Sequence, residues 1–231
     1  MSNTTVWIIA GLAYLGSWLV KRWLNATYKK WSQVPNSAGV TGAQTAAAIL
    51  ASKGIRNVKI ERTPGQLTDH FDPARDILRL SKTNHDSVSV AAMAVSAHEA
   101  GHAIQDHRED IRLRLRKYIA PLAALGGRFS PWLVIGGIFL GADTLLRWGT
   151  WLLVGTIVFQ LLTLPVEINA SRRAMSNLEE LGLSDPTEKK GTQRVLTAAA
   201  LTYVAAAATS IAYVGTLFVM MKGVGRGGSA I

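Results

Sequence analysis

Residues His98-Glu99-Ala100-Gly101-His102 carry the spacing H-E-x-x-H. An α-helix turns once in 3.6 residues, so side chains at i and i+4 leave the same face. His98 and His102 can therefore offer two imidazole nitrogens to one metal ion, with Glu99 beside them to handle a proton. Metal-assisted hydrolysis needs such a set: nitrogen ligands that hold zinc, and a carboxylate next to a water molecule. In a chain of this length and composition the pattern arises by chance in roughly 0.3% of cases. The plain alternative is a surface helix with two stray histidines.

A catalytic zinc ion usually takes three protein ligands. The chain has no cysteine, so the third must be histidine or carboxylate, and no disulfide framework or thiol nucleophile is available. His70, His85, His107 and the acidic residues are the candidates. His107 follows His102 by five residues, a helical step of about 500°, and faces away from the pair. His85 precedes a helix cap and reads as a surface residue. His70 lies in the turn-rich stretch Asp69–Pro73, as a loop histidine, a substrate contact or a support for the site. Glu167 is the stronger candidate. It follows an apolar run in Leu164-Pro165-Val166-Glu167, and a carboxylate at the edge of the hydrocarbon layer is costly unless paired or metal-bound. Its alternative is a solvated glutamate on a juxtamembrane helix. Ser171 stands one helical turn beyond Glu167 and can support the site by hydrogen bonding. Asn169 faces elsewhere.

The elements that must position these residues divide between membrane and water. Apolar residues make up 48% of the chain and the mean hydropathy is +0.19, high for a soluble globule and low for a wholly membrane-embedded protein. Apolar runs over 4–24, 131–148, 149–165 and 195–221 predict four transmembrane helices. The middle two form a hairpin. The first is read as a retained anchor, because Lys21-Arg22 follows the apolar run where a signal peptide would carry its charge before it. The last is rich in Ala, Thr, Ser and Gly, which lets helices pack closely inside a bilayer. Residues 25–118 are predicted as an α+β segment carrying the H-E-x-x-H helix, and 166–194 as a helix carrying the third ligand. Within the first segment, Thr41 caps a helix through Ala46 to Lys53 that Gly54 stops. Asn57–Glu61 and Ile77–Leu80 alternate as two short strands. Thr63-Pro64-Gly65 and Asp72-Pro73 mark turns between them, and Asp86 or Ser87 caps the motif helix. Such a sheet could offer an edge strand to an extended peptide.

The net charge of +10 and pI near 10.2 would suit a nucleic-acid binder, but the positions of the charges fit a membrane better. Lys and Arg crowd into 21–117 and 172–194, while the opposite side receives little beyond Arg147, Lys222 and Arg226. The positive-inside rule then places both large loops in the cytoplasm and both termini outside. The basic run Arg112 to Lys117 also suits anionic lipid headgroups.

Three segments read together resemble a known family: His98-Glu-Ala-Gly-His-Ala-Ile-Gln105, Leu164-Pro-Val-Glu-Ile-Asn-Ala-Ser-Arg-Arg-Ala174 and Ala200-Leu-Thr-Tyr-Val-Ala-Ala-Ala207. With Asp69–Ser81, they resemble the YugP-like membrane zinc metallopeptidases over nearly the whole chain. The resemblance implies a gluzincin-like zinc metalloendopeptidase (EC 3.4.24-like), with Zn2+ on His98, His102 and Glu167 and with Glu99 as base. It implies a mainly α, polytopic membrane protein with about four transmembrane helices and a small α+β zinc-protease-like domain. Its expected partners are a protein or peptide substrate, the lipid bilayer and membrane proteins, with no nucleic acid. The expected location is the plasma membrane, with the site on the cytoplasmic face. Two other classes use the same residues: a zinc hydrolase of a membrane or small-molecule substrate, and a catalytically silent scaffold. An intact Glu99 argues against the scaffold, and the charged stretch Gln105–Lys117 argues against cutting inside the bilayer.

Overall fold

The computed structural model describes residues 3–227. The side chains of Lys222 and Arg226, counted above for charge, lie outside the described ones. Among the described residues, seven helices and three strands follow in the order α1 (Asn3–Ser32), α2 (Gly42–Ser52), β1 (Lys59–Thr63), β2 (His70–Asp72), β3 (Ile77–Ser81), α3 (Lys82–Asp86), α4 (Val90–His107), α5 (Ile111–Leu140), α6 (Asp143–Glu180) and α7 (Pro186–Gly227). The chain forms two compact units.

One unit comprises Met1–Lys21, Leu115–Leu164 and Thr202–Ile231. Its interior is small: Val134, Leu146 and Leu217 are buried, with Leu153, Tyr213 and Met221 packed around them. Large apolar side chains such as Leu12, Trp132, Phe139, Trp148 and Trp151 are exposed instead, the arrangement expected where the surrounding solvent is hydrocarbon. Among the described residues, three helices are long and apolar enough to cross a membrane: α5, α6 and residues Pro186–Val219 of α7. The predicted first span, 4–24, lies on α1. There the Thr209 hydroxyl of α7 donates to the Ala13 carbonyl (3.2 Å) as well as to that of Ala205 (2.8 Å).

The hairpin boundary differs from the predicted one. The second span was expected over 131–148, but α5 runs straight through Pro121 and Pro131 and stops at Leu140. Gly141 has φ +60°, and the Gly141 and Ala142 amides bond back to Ile138 and Gly137. This is the left-handed stop that glycine makes without a steric cost. The turn therefore falls at Gly141-Ala142, and Asp143 begins α6, where an acidic side chain suits the helix N-terminus. The third span and the following segment, expected to part at 165, are one helix through Pro165. The predicted helix over 166–194 is instead the end of α6, a turn at 181–185 and the start of α7.

The other unit comprises Arg22–Arg114 and Pro165–Leu201. Its sheet has the order β1-β3-β2, with β1 parallel to β3 and β2 antiparallel to it. Leu78 and Leu80 of β3 point to one side, as a two-residue repeat requires, and are fully buried with Ile49, Met93, Ala97, Ala100, Ile104 and Leu178. The strand β2 falls where the sequence signalled only turns. Asp69 holds it in place by accepting from the Ser81 amide (2.7 Å) and from Asn84 Nδ2 (2.8 Å), and Asn84 in turn accepts from the Tyr28 hydroxyl (2.7 Å). Thr41 caps α2 in a reciprocal box with Gln44. The cap of α4 is Ser89, whose hydroxyl accepts from the Ala92 amide (3.2 Å). Asp86 and Ser87, the expected caps, belong to the short α3 and its C-terminal end.

Helix α4 is buried along most of its length, and its small residues make that possible. Val90, Ala91 and Ala94 pack with Tyr28, Trp31 and Val195 on one side; Ala97, Ala100 and Ala103 pack in the main core on another. At Gly101 the backbone of α6 comes closest: a Cβ there would lie 2.7 Å from the Ala170 carbonyl oxygen. Helix propensity alone makes Gly→Ala stabilising by about 0.8–1 kcal/mol. Overpacking against backbone reverses the sign, so Gly101→Ala should lower stability by about 1–3 kcal/mol. Thermal unfolding of the purified protein in detergent checks this, and an unchanged or raised Tm would contradict the close approach of α4 and α6.

Candidate metal centre

Three side chains converge across the α4–α6 contact. His98 and His102 extend from α4, one turn apart, and their rings meet edge-on with centroids 4.8 Å apart. Glu167 extends from α6, 69 residues on from His98. Its Oε2 lies 3.2 Å from His98 Nε2 and 3.5 Å from His102 Nε2. One donor atom from each residue can be chosen so that all lie within 4.8 Å of one another. Glu167 and His102 are buried and His98 nearly so.

The donor set fits a metal ion of the zinc type. Donors about 2.0–2.1 Å from a tetrahedral zinc lie roughly 3.3 Å from one another, close to both nitrogen–oxygen separations here. The hydrogen bonding points the same way. His102 Nδ1 lies 2.9 Å from Gln105 Oε1, and Gln105 Nε2 is committed to the Val166 carbonyl (3.0 Å) and Asn169 Oδ1 (3.0 Å). With its amide nitrogen so engaged, Gln105 presents an acceptor to His102, whose Nδ1 therefore carries the proton. In the neutral ring, Nε2 then turns a lone pair toward the Glu167 carboxylate. Two acceptors facing each other in a buried site repel unless a proton or a cation lies between them. His98 is held likewise, with Nδ1 3.2 Å from Ser171 Oγ and Nε2 toward Glu167. Imidazole ligands fixed through the second nitrogen are the usual support of a metal site.

Glu99 is buried beside this cluster, with the Phe71 backbone of β2 close to its carboxylate. Burial pushes the Glu99 carboxyl up to about 7, and the Glu167 and Asp69 carboxylates reinforce the rise. Strand β2 pairs with β3 along one edge. It is an edge strand of that sheet.

The other candidates lie elsewhere. His70 is exposed on β2, with Nδ1 bonded to the Thr68 carbonyl (2.8 Å). His85 pairs with Asp86 (2.6 Å), and His107 ends α4. Sequence reasoning passed over Gln105, Asn169 and Asp69. Gln105 had a legible signal: it follows His102 by three residues and so shares its helix face. Asn169, read from the sequence as facing elsewhere, joins the site through Gln105. Its Oδ1 also accepts from Arg173 Nε (2.7 Å).

Gln105 thus joins a histidine of one helix to the backbone beside Glu167 on the other. Gln105→Leu removes the acceptor that fixes His102 and the donor that fixes the Glu167 turn. Zinc affinity should fall about 10–100-fold, measured by competition with a chromogenic chelator. An affinity within twofold of the unmodified protein would show that Gln105 does not set the geometry.

Residues 6–222 match the protein family described as "Putative neutral zinc metallopeptidase". Over 201 residues the chain is 41% identical to the "Putative membrane protease YugP" of Bacillus subtilis (strain 168), which takes in 87% of this chain and 88% of that protein. No solved structure matches the chain. A match over 6–222 spans both the H-E-x-x-H helix and the helix of Glu167, and the chain belongs to this family.

Proposed function

We propose that this protein is a membrane-embedded zinc endopeptidase in which His98, His102 and Glu167 hold the metal and Glu99 is the general base. The observation that carries the reading is the convergence of two Nε2 atoms on one Glu167 oxygen, at 3.2 and 3.5 Å. Zinc bound there supplies Lewis-acid polarisation of the scissile carbonyl and lowers the pKa of water. The chain's own residues do the rest. Glu99, adjacent to His98 on α4, takes the proton of the attacking water on its carboxylate and returns it to the leaving amine. Gln105 keeps His102 in the tautomer that ligation needs, and Ser171 helps to orient His98. The negative charge of Glu167 offsets part of the metal charge and leaves a net positive centre.

Substrate orientation follows from β2. An extended peptide that pairs with its outer edge gains main-chain hydrogen bonds. It would run close to Glu99, because the Phe71 backbone of β2 lies near the Glu99 carboxylate. His70, exposed on the same strand, is then in a position to meet substrate side chains. For the membrane arrangement we infer four spans, with α1 joining the three long apolar helices. The charge asymmetry supports the cytoplasmic face for the site.

The roles separate in two measurements, zinc content and cleavage of a fluorogenic peptide by detergent-purified protein. Glu99→Gln should retain zinc and lose at least about 100-fold in rate, as removal of a general base does. His98→Ala and Glu167→Ala should lose the metal itself. Cleavage by Glu99→Gln at the unmodified rate, or an unmodified protein without stoichiometric zinc, would overturn the mechanism.

A further inference from the structure

A second cavity, sharing no residue with the histidine cluster, lies between α1 and the start of α7. It measures about 420 Å³ and is lined by Trp23, Ala26, Thr27, Lys30, Trp31 and Arg194. Helical spacing shapes it. Trp23, Thr27 and Trp31 recur every four residues along one face of α1, and Ala26 and Lys30 flank them at a three-residue offset. The small Ala26 and Thr27 leave a notch between two indoles. Helix α7 closes the notch at Gly191, where a Cβ would stand 2.6 Å from the Trp31 ring, so the indole rests directly on the α7 backbone. Arg194 follows three residues later and turns to the same side.

The lining holds two cations and no carboxylate. Lys30 and Arg194 are both exposed, and Lys30 Nζ lies 5.7 Å from the Trp31 ring centroid, within reach of a cation–π attraction that steadies it. Two unneutralised cations against aromatic walls suit a ligand that is anionic at one end and apolar at the other. Position in the chain says where such a ligand is met. Trp23 closes the first apolar run, and Arg194 directly precedes the last. Indoles concentrate at the headgroup level of a bilayer, and Lys and Arg there attract anionic lipid.

We propose that this cavity binds the phosphate of an anionic phospholipid. Arg194 and Lys30 hold the phosphate oxygens, the guanidinium as a fork and the ammonium as a point charge. Trp23 and Trp31 cover the glycerol and the first acyl carbons. The proposal rests on the membrane placement of α1 and α7 and is independent of peptide hydrolysis.

Native mass spectrometry of the full chain in a neutral detergent, titrated separately with phosphatidylglycerol, phosphatidylcholine and inorganic phosphate, tests it. Phosphatidylglycerol should bind in preference to phosphatidylcholine. Lys30→Gln with Arg194→Gln should weaken that binding roughly 30-fold, about fivefold per basic side chain removed. Lys29→Gln with Lys190→Gln changes the charge equally on the same two helices and should bind as the unmodified protein does. Thr27→Leu fills the notch with both cations intact and should also lose the lipid. Equal losses in the two double variants, or equal binding of both lipids, would reduce the effect to general surface attraction and overturn the site. Displacement of phosphatidylglycerol by inorganic phosphate at comparable concentration would assign the cavity to a free anion and overturn the lipid.

Discussion

The approach of α4 to α6 at Gly101 is the contact on which the cluster of His98, His102 and Glu167 depends. Two helices whose facing residues carried ordinary side chains would stand too far apart for Glu167 to reach both imidazoles. Here the Ala170 carbonyl occupies the space a Cβ of residue 101 would need. Glu167 is three residues before Ala170, on the same side of α6, and is thereby brought to 3.2 Å from His98. The glycine inside the H-E-x-x-H motif is therefore a packing residue as well as a spacer. Ala97, Ala100 and Ala103 on α4 serve the same end, being small enough to let neighbouring elements surround the helix.

Burial at this contact makes the electrostatics demanding. A buried carboxylate beside two neutral imidazoles is stable only if the lone pairs are met by protons or by a cation. The hydrogen-bond network removes freedom from that choice. Gln105 receives the Nδ1 proton of His102 and spends both amide hydrogens on α6, which leaves the Nε2 lone pair facing Glu167. Ser171 holds the corresponding atom of His98. Rigid preorganisation of this kind favours the cation, since a metal satisfies three acceptors at once where a proton satisfies two.

Legibility in the sequence followed the range of the interactions involved. The His98/His102 pair could be read because helical geometry is local. Glu167 could be read because the expense of a carboxylate beside an apolar run is a local fact too. Ser171 came with it, one turn on. Gln105 and Asn169 were not read, although Gln105 sits on the legible face, because their roles exist only after two helices distant in sequence have packed. Strand β2 was hidden for a related reason. Three residues among turn signals have no periodicity, and what makes them a strand is the Asp69 side chain bonded to Ser81 and Asn84. The hairpin turn is a different case: Gly141 was a visible stop signal, outweighed by an apolar run that Asp143 and Arg147 scarcely interrupt.

Hydropathy has opposite meanings in the two units, and that difference explains why it located helices better than contacts. In the unit holding the sheet, apolar residues go inward, and a buried leucine such as Leu78 or Leu80 marks the core. In the other unit the large apolar side chains lie outside, and the packing information is carried by small ones. A Cβ at Gly137 would stand 2.6 Å from the Leu146 backbone, and one at Gly149 2.8 Å from Val134. In hydrocarbon no free energy is gained by hiding a leucine, so close backbone approach and hydroxyl-to-carbonyl bonds must supply specificity. Thr209 donating across to Ala13 is such a bond. An apolar run therefore states that a segment can cross the bilayer, while Gly, Ala and Thr within it state which face meets another helix. Gly101 extends the same rule to the metal centre, where close approach of two backbones sets the distance between ligands.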